Sequence, residues 1–202
     1  METLPPVAQR SADALAVGTG VHRAAQAAAA LTIGSVVTLG IFYAIGEPWG
    51  TLNDGITIAL AAATVPIAVG LARQSRRSAL LDLGAVADVA GAITTIGFTT
   101  LLIARTMTFG ASLPFVLAGQ GLIGCWLILV GVVSWLVPGT RRLAAFGLAG
   151  GVGLVLSVLG FAIGGIEHPL TIFGGAVGTL GTVGFYALLS RRTGRRSVQA
   201  PG

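Results

Sequence analysis

Six runs of about 20 or more mainly apolar residues, joined by short polar turns, leave this chain few ways to fold. A helix needs about 20 such residues to cross the roughly 30 Å hydrocarbon core of a bilayer. The runs fall at 24–45, 52–72, 79–104, 113–137, 143–166 and 169–189. The expected fold is all-α, a polytopic bundle of six transmembrane helices arranged as three hairpins. The second run is the weakest, because Asn53 and Asp54 fall in its first turn and Pro66 interrupts it.

Length alone, 202 residues, would suit one or two soluble domains. Composition overrides that reading: 9% of residues are charged, against roughly 25% in soluble domains. Glycine, with 31 residues, is also abundant, as it is in membrane helices. All twelve basic residues are arginine, which together with the alanine and glycine content points to a GC-rich bacterial genome.

The arginines orient the chain. Arg73, Arg76 and Arg77 lie in the second loop, Arg141 and Arg142 in the fourth, and Arg191, Arg192, Arg195 and Arg196 in the tail. With Arg10 and Arg23 before the first run, only Arg105 falls on the other side. The positive-inside rule therefore places both termini in the cytoplasm of a cell-membrane protein. Residues 1–23 read as a cytoplasmic segment, interfacial around 11–17 or disordered. Residues 24–190 form the transmembrane domain, and 191–202 a basic tail drawn to anionic headgroups.

Ionisable groups inside a membrane helix are costly and usually face the bundle interior. Asp82 lies near the cytoplasmic end of the third run and reads as an interfacial ion-pair partner of Arg76 and Arg77. Asp88 lies deeper. Gly84, Gly91, Ala92, Thr95 and Thr99 share its helical face, a small and hydroxylated stripe with the acid at its centre. Asp88, Thr95 and Gln120 are the candidate proton or cation site. The plainer alternative is an Asp88 hydrogen-bonded across helices, with Thr64 or Gln120 as partner. Gly147 and Gly151, Gly160 and Gly164, and Gly174 and Gly178 are each four residues apart. Such faces let helices approach closely, so the fifth and sixth runs are expected to pack as a tight pair. Cys125 reads as a small buried hydrophobe.

Much chemistry is excluded. His22 and His168 are expected on opposite sides of the membrane, so they cannot share a metal. Without lysine there is no phosphate-binding loop of the Gly-Lys-Ser/Thr type. Ser35, Ser134 and Ser157 have no base at their depth. An enzyme, a cofactor, a metal site and a nucleic-acid partner are therefore not expected.

Trp126-Leu127-Ile128-Leu129, Pro138-Gly139-Thr140-Arg141-Arg142 and Gly147-Leu148-Ala149-Gly150-Gly151 fall within 121–165. This stretch resembles uncharacterised six-helix bacterial integral membrane proteins, a domain of unknown function, and the resemblance implies topology but no activity. The leading expectation is a non-enzymatic membrane subunit or accessory protein. Its glycine-rich faces would bind another membrane protein or a second copy. The alternative is a small transporter or channel for protons, cations or a small solute. A third reading, an enzyme acting on lipid, would need Glu167 with His168, or Asp82 with its arginines.

Overall fold

The structure, a computed structural model, describes the backbone of residues 6–74 and 78–198 and the side chains of 18–74 and 78–194. Among the described residues it contains six helices and no strand. They are α1 (Pro6–Ile45), α2 (Trp49–Gln74), α3 (Ala79–Ile103), α4 (Phe109–Trp135), α5 (Arg141–Gly164) and α6 (Pro169–Val198). Each contains a span long and apolar enough to cross a membrane. The outer surface carries large aliphatic side chains such as Val86, Ile93, Ile163 and Leu180, all more than 60% exposed. A soluble monomer rarely exposes so much contiguous apolar surface.

Local chemistry punctuates the chain. Gly46, Gly139 and Gly165 adopt φ of +79°, +78° and +79°, a backbone region that disfavours side chains, and each lies in a turn between helices. Pro169 opens α6 at the position where a missing N–H costs nothing. The first helix starts at Pro6 rather than near residue 24 and runs unbroken into the membrane span. Alanines and arginines around 23–30 favour helix and offer no stop signal there.

Each helix packs chiefly on its neighbours in sequence, and α1 also packs on α6, so the six close into a ring. The most extensive of these interfaces joins α5 and α6. Glycine is the reason. A Cβ at Gly153 or Gly181 would collide with the backbone of Gly178 or Gly150 across the interface. At Gly174 it would lie 2.5 Å from the Ser157 nitrogen. Gly91 of α3 faces Gly119 of α4 in the same manner, and Gly124 of α4 faces Gly151 of α5.

Two expectations change here. Gly151 serves α4, not α6, and Gly164 meets the ring of His168 in the following loop. The rows joining α5 to α6 instead run through Gly150, Gly153 and Gly160, with Gly174, Gly178 and Gly181 opposite. Cys125 is exposed on the outer face rather than buried, because Gly124 and Trp126 beside it take the inward positions of α4.

One end of the ring is filled with side chains. Trp126, Leu127, Ile67, Phe185 and Tyr186 are fully buried there. Trp126 and Phe185 meet edge to face at 5.9 Å, and Phe185 and Tyr186 at 5.5 Å.

Gly153→Leu should destabilise the bundle by about 3 kcal/mol or more, since backbone cannot move aside as a side chain can. Gly97 has open space around it, so Gly97→Leu should change stability by no more than about 0.5 kcal/mol. Thermal unfolding of both variants in mild detergent checks the contrast.

Candidate functional site

The midsection of the ring is less completely filled than the end occupied by Trp126, Phe185 and Tyr186. A partly enclosed cavity of about 130 Å³ lies there. A water needs at least about 10–15 Å³, so several fit. Five helices line it: Thr32, Ser35 and Val36 from α1, Thr57, Leu60 and Thr64 from α2, Gln120 and Ile123 from α4, Leu154 from α5, and Thr179, Thr182 and Tyr186 from α6. The hydroxyl groups recur at helical spacing, 57 and 64 on one face of α2, and 179, 182 and 186 on one face of α6.

None of the lining comes from α3, yet α3 carries the acid. Asp88 is 0% exposed and stands behind Thr64, whose hydroxyl lies 3.0 Å from Asp88 Oδ2. The same hydroxyl lies 2.9 Å from the carbonyl of Ala61. Thr64 has one hydrogen for two oxygens. The hydroxyl donates to Asp88 Oδ2 and is also within reach of the Ala61 carbonyl, so the two oxygens compete for its hydrogen. An ionised Asp88 would need the Thr64 hydrogen for itself. Two residues beyond, Pro66 has no N–H to offer the Ala62 carbonyl, so the helix is already one bond short at this level.

Four buried side-chain oxygens among the described residues have no hydrogen-bond partner: Asp88 Oδ1, Thr95 Oγ1, Thr99 Oγ1 and the Tyr186 hydroxyl. Buried polar atoms are nearly always paired with protein or water, so this concentration marks the interior beside α3 as the polar centre of the bundle.

The candidate residues do not converge on one point. The stripe of Gly84, Asp88, Gly91, Ala92, Thr95 and Thr99 is buried along its whole length. Asp88 turns to α2, Thr95 sits against Gly119 of α4, and Gln120 lines the cavity. Asp82 is exposed in the first turn of α3, where a negative charge suits the helix dipole. Arg76 and Arg77 lie outside the described residues. Asn53, which weakened the second run, accepts hydrogen bonds from Ser35 (2.8 Å) and Thr38 (3.1 Å) and so ties α2 to α1. His168 Nδ1 accepts the N–H of Leu170 at 3.3 Å, so one of its ring nitrogens serves the start of α6.

The lining residues Thr32, Ser35, Thr57, Thr179, Thr182 and Tyr186 escape a search for ionisable groups. Their signal is weaker, hydroxyl-bearing side chains repeating along one face of an otherwise apolar helix. Fold and interior together point to a multi-pass membrane protein with a cavity, bordered by hydroxyl and aliphatic side chains, midway along its helices. No protein-family model, curated protein or solved structure matches the chain. The resemblance of 121–165 therefore adds nothing to what the geometry says.

Thr64→Val keeps the side-chain shape but leaves Asp88 without its hydrogen-bond partner, at a cost of about 1–3 kcal/mol. Thr64→Ser should stay within about 1 kcal/mol of the parent. Equal thermal stabilities for the two variants in detergent would contradict the pairing.

Proposed function

We propose that this chain is a small transporter or channel, without catalytic chemistry, that moves protons, cations or a small solute through the six-helix ring. Asp88 is the coupling residue in this reading, and Gln120 and Tyr186 belong to the path. One observation carries the proposal: a fully buried carboxyl group adjoins a cavity bordered by hydroxyl groups at mid-helix depth, with one oxygen bonded to a cavity-lining threonine and the other unpartnered. Intramembrane acids of this kind mark proton and ion pathways. The Thr64 hydroxyl, shared between Asp88 and the Ala61 carbonyl beside Pro66, gives the acid's protonation state a lever on α2.

The leading expectation from the sequence, a non-enzymatic membrane subunit or accessory protein, is the second reading, and its partner contacts would have to lie outside the six glycines first singled out. The glycines on which it rested meet Phe185, Gly124, Thr171, His168, Ser157 and Leu154 of this same chain. The proposed setting is a bacterial cell membrane, with both termini in the cytoplasm on the strength of the arginine distribution.

In vesicles containing the purified protein, a pH gradient should drive flux that Asp88→Asn abolishes. The asparagine carbonyl oxygen can accept the Thr64 hydrogen as Asp88 Oδ2 does, so the variant should remain folded. Undiminished flux with unchanged pH dependence would remove Asp88 from the mechanism. For orientation, a green fluorescent protein fused after Gly202 should fluoresce in cells, and an alkaline phosphatase fused there should be inactive. The reverse pattern would invert the topology.

A further inference from the structure

A second cavity lies away from Asp88, where the α4–α5 loop meets the end of α6. It measures about 530 Å³, and Arg141, Arg142 and Arg192 line it together with Trp135, Leu136 and Val137. The loop that shapes it is held by its own bonds. The Thr140 hydroxyl reaches the carbonyls of Ser134 and of Val137, the latter at 2.7 Å. The guanidinium of Arg192 donates to the Gly139 carbonyl, which draws α6 to this loop and fixes one arginine at the cavity wall. Arg141 and Arg142 open α5 on the other side of the loop.

Among the described residues no carboxylate lines the cavity, so three positive charges converge there without a negative one among them. The positive-inside rule accounts for arginines on this side of a membrane. It does not account for three of them, from two separate segments of the chain, facing one cleft. Like charges repel, and an anion between them removes that cost. Arginine presents a fork of N–H donors that matches phosphate oxygens in pairs. Two or more of Arg192's donors remain for a ligand after its bond to Gly139. The apolar part of the lining points to the bilayer as the source of the anion. Trp135 is 51% exposed and Leu136 79%, and an indole at this level is at home among headgroups.

We propose that this cleft binds the phosphate group of an anionic lipid, with Arg141, Arg142 and Arg192 as the phosphate ligands and Trp135 against the glycerol and upper acyl region. Acidic lipids are held in basic pockets between membrane helices by this chemistry. The assignment is independent of transport and of Asp88.

The test is binding of phosphatidylglycerol and of phosphatidylcholine to the detergent-purified, delipidated protein, followed by native mass spectrometry. The full chain should prefer phosphatidylglycerol. R141Q/R142Q/R192Q should weaken that binding roughly a hundredfold, about fivefold for each arginine. Arg73→Gln, at the end of α2, should leave it unchanged. Absence of a headgroup preference in the parent protein overturns the proposal without recourse to any variant, as does full binding by the triple variant. Arg192→Gln alone, which leaves both α5 arginines, covers the case in which the triple variant fails to fold. Inorganic phosphate distinguishes the two sources of the group. Weak competition, needed in large excess, supports a lipid ligand; tight binding of free phosphate to the lipid-free protein overturns it.

Discussion

Backbone-to-backbone contact at glycine is the interaction on which this bundle depends. Lipid tails are as apolar as leucine, so helices in a membrane gain no hydrophobic drive to associate and rely on close packing and polar contacts. Gly153 against Gly178 and Gly150 against Gly181 bring α5 and α6 together, and Gly91 against Gly119 and Gly124 against Gly151 carry the same device across α3, α4 and α5. On the far side of the ring the means differ. There α1 is tied to α2 by Ser35 and Thr38 on Asn53, and to α6 by His22 Nδ1 bonded to the Ser190 carbonyl at 2.7 Å. One half of the ring is joined mainly through glycine, the other through buried apolar residues such as Ala25 and Ala28 together with these hydrogen bonds.

That division places the polar interior. Where glycines bring backbones close, no room is left between helices. Hydroxyl side chains of α1, α2 and α6 border a cavity, with Tyr186 at its wall. Asp88 reaches it indirectly through Thr64. The acid is thereby screened from lipid on the outside and from the cavity on the inside, with one hydroxyl as its contact to both α2 and that cavity.

Several of these features were legible in the sequence, and the reason is periodicity. The stripe on α3 repeats at helical spacing, so its members had to share a face, and a face bearing an acid had to turn inward. The six spans followed from length and apolarity alone. The glycine pairing was harder. Four-residue spacing drew attention to α5 and α6, but with 31 glycines many registers satisfy the same rule. Which row meets which neighbour depends on how α5 is rotated between α4 and α6, and local sequence does not encode that rotation. Gly151 was misplaced for this reason, and Cys125 because the rotation of α4 is likewise not encoded locally. The cavity was out of reach for another. It exists only where five helices meet, and no single helix bears more than three of its hydroxyl groups.

The ring closes between its first and last members, and this has a consequence for how the protein is made. Interfaces from α1·α2 through α5·α6 join helices adjacent along the chain and can form in order as each hairpin leaves the insertion machinery. The seam between α1 and α6 cannot. During synthesis α1 waits with Ala25 and Ala28, fully buried in the finished protein, facing lipid or a chaperone. Only when α6 brings Phe185 and Tyr186 into place does the interior acquire its last wall. A ribosome that stalls before α6 therefore leaves behind an open arc of helices, and the quality-control machinery of the membrane would meet it as a polar groove exposed to lipid.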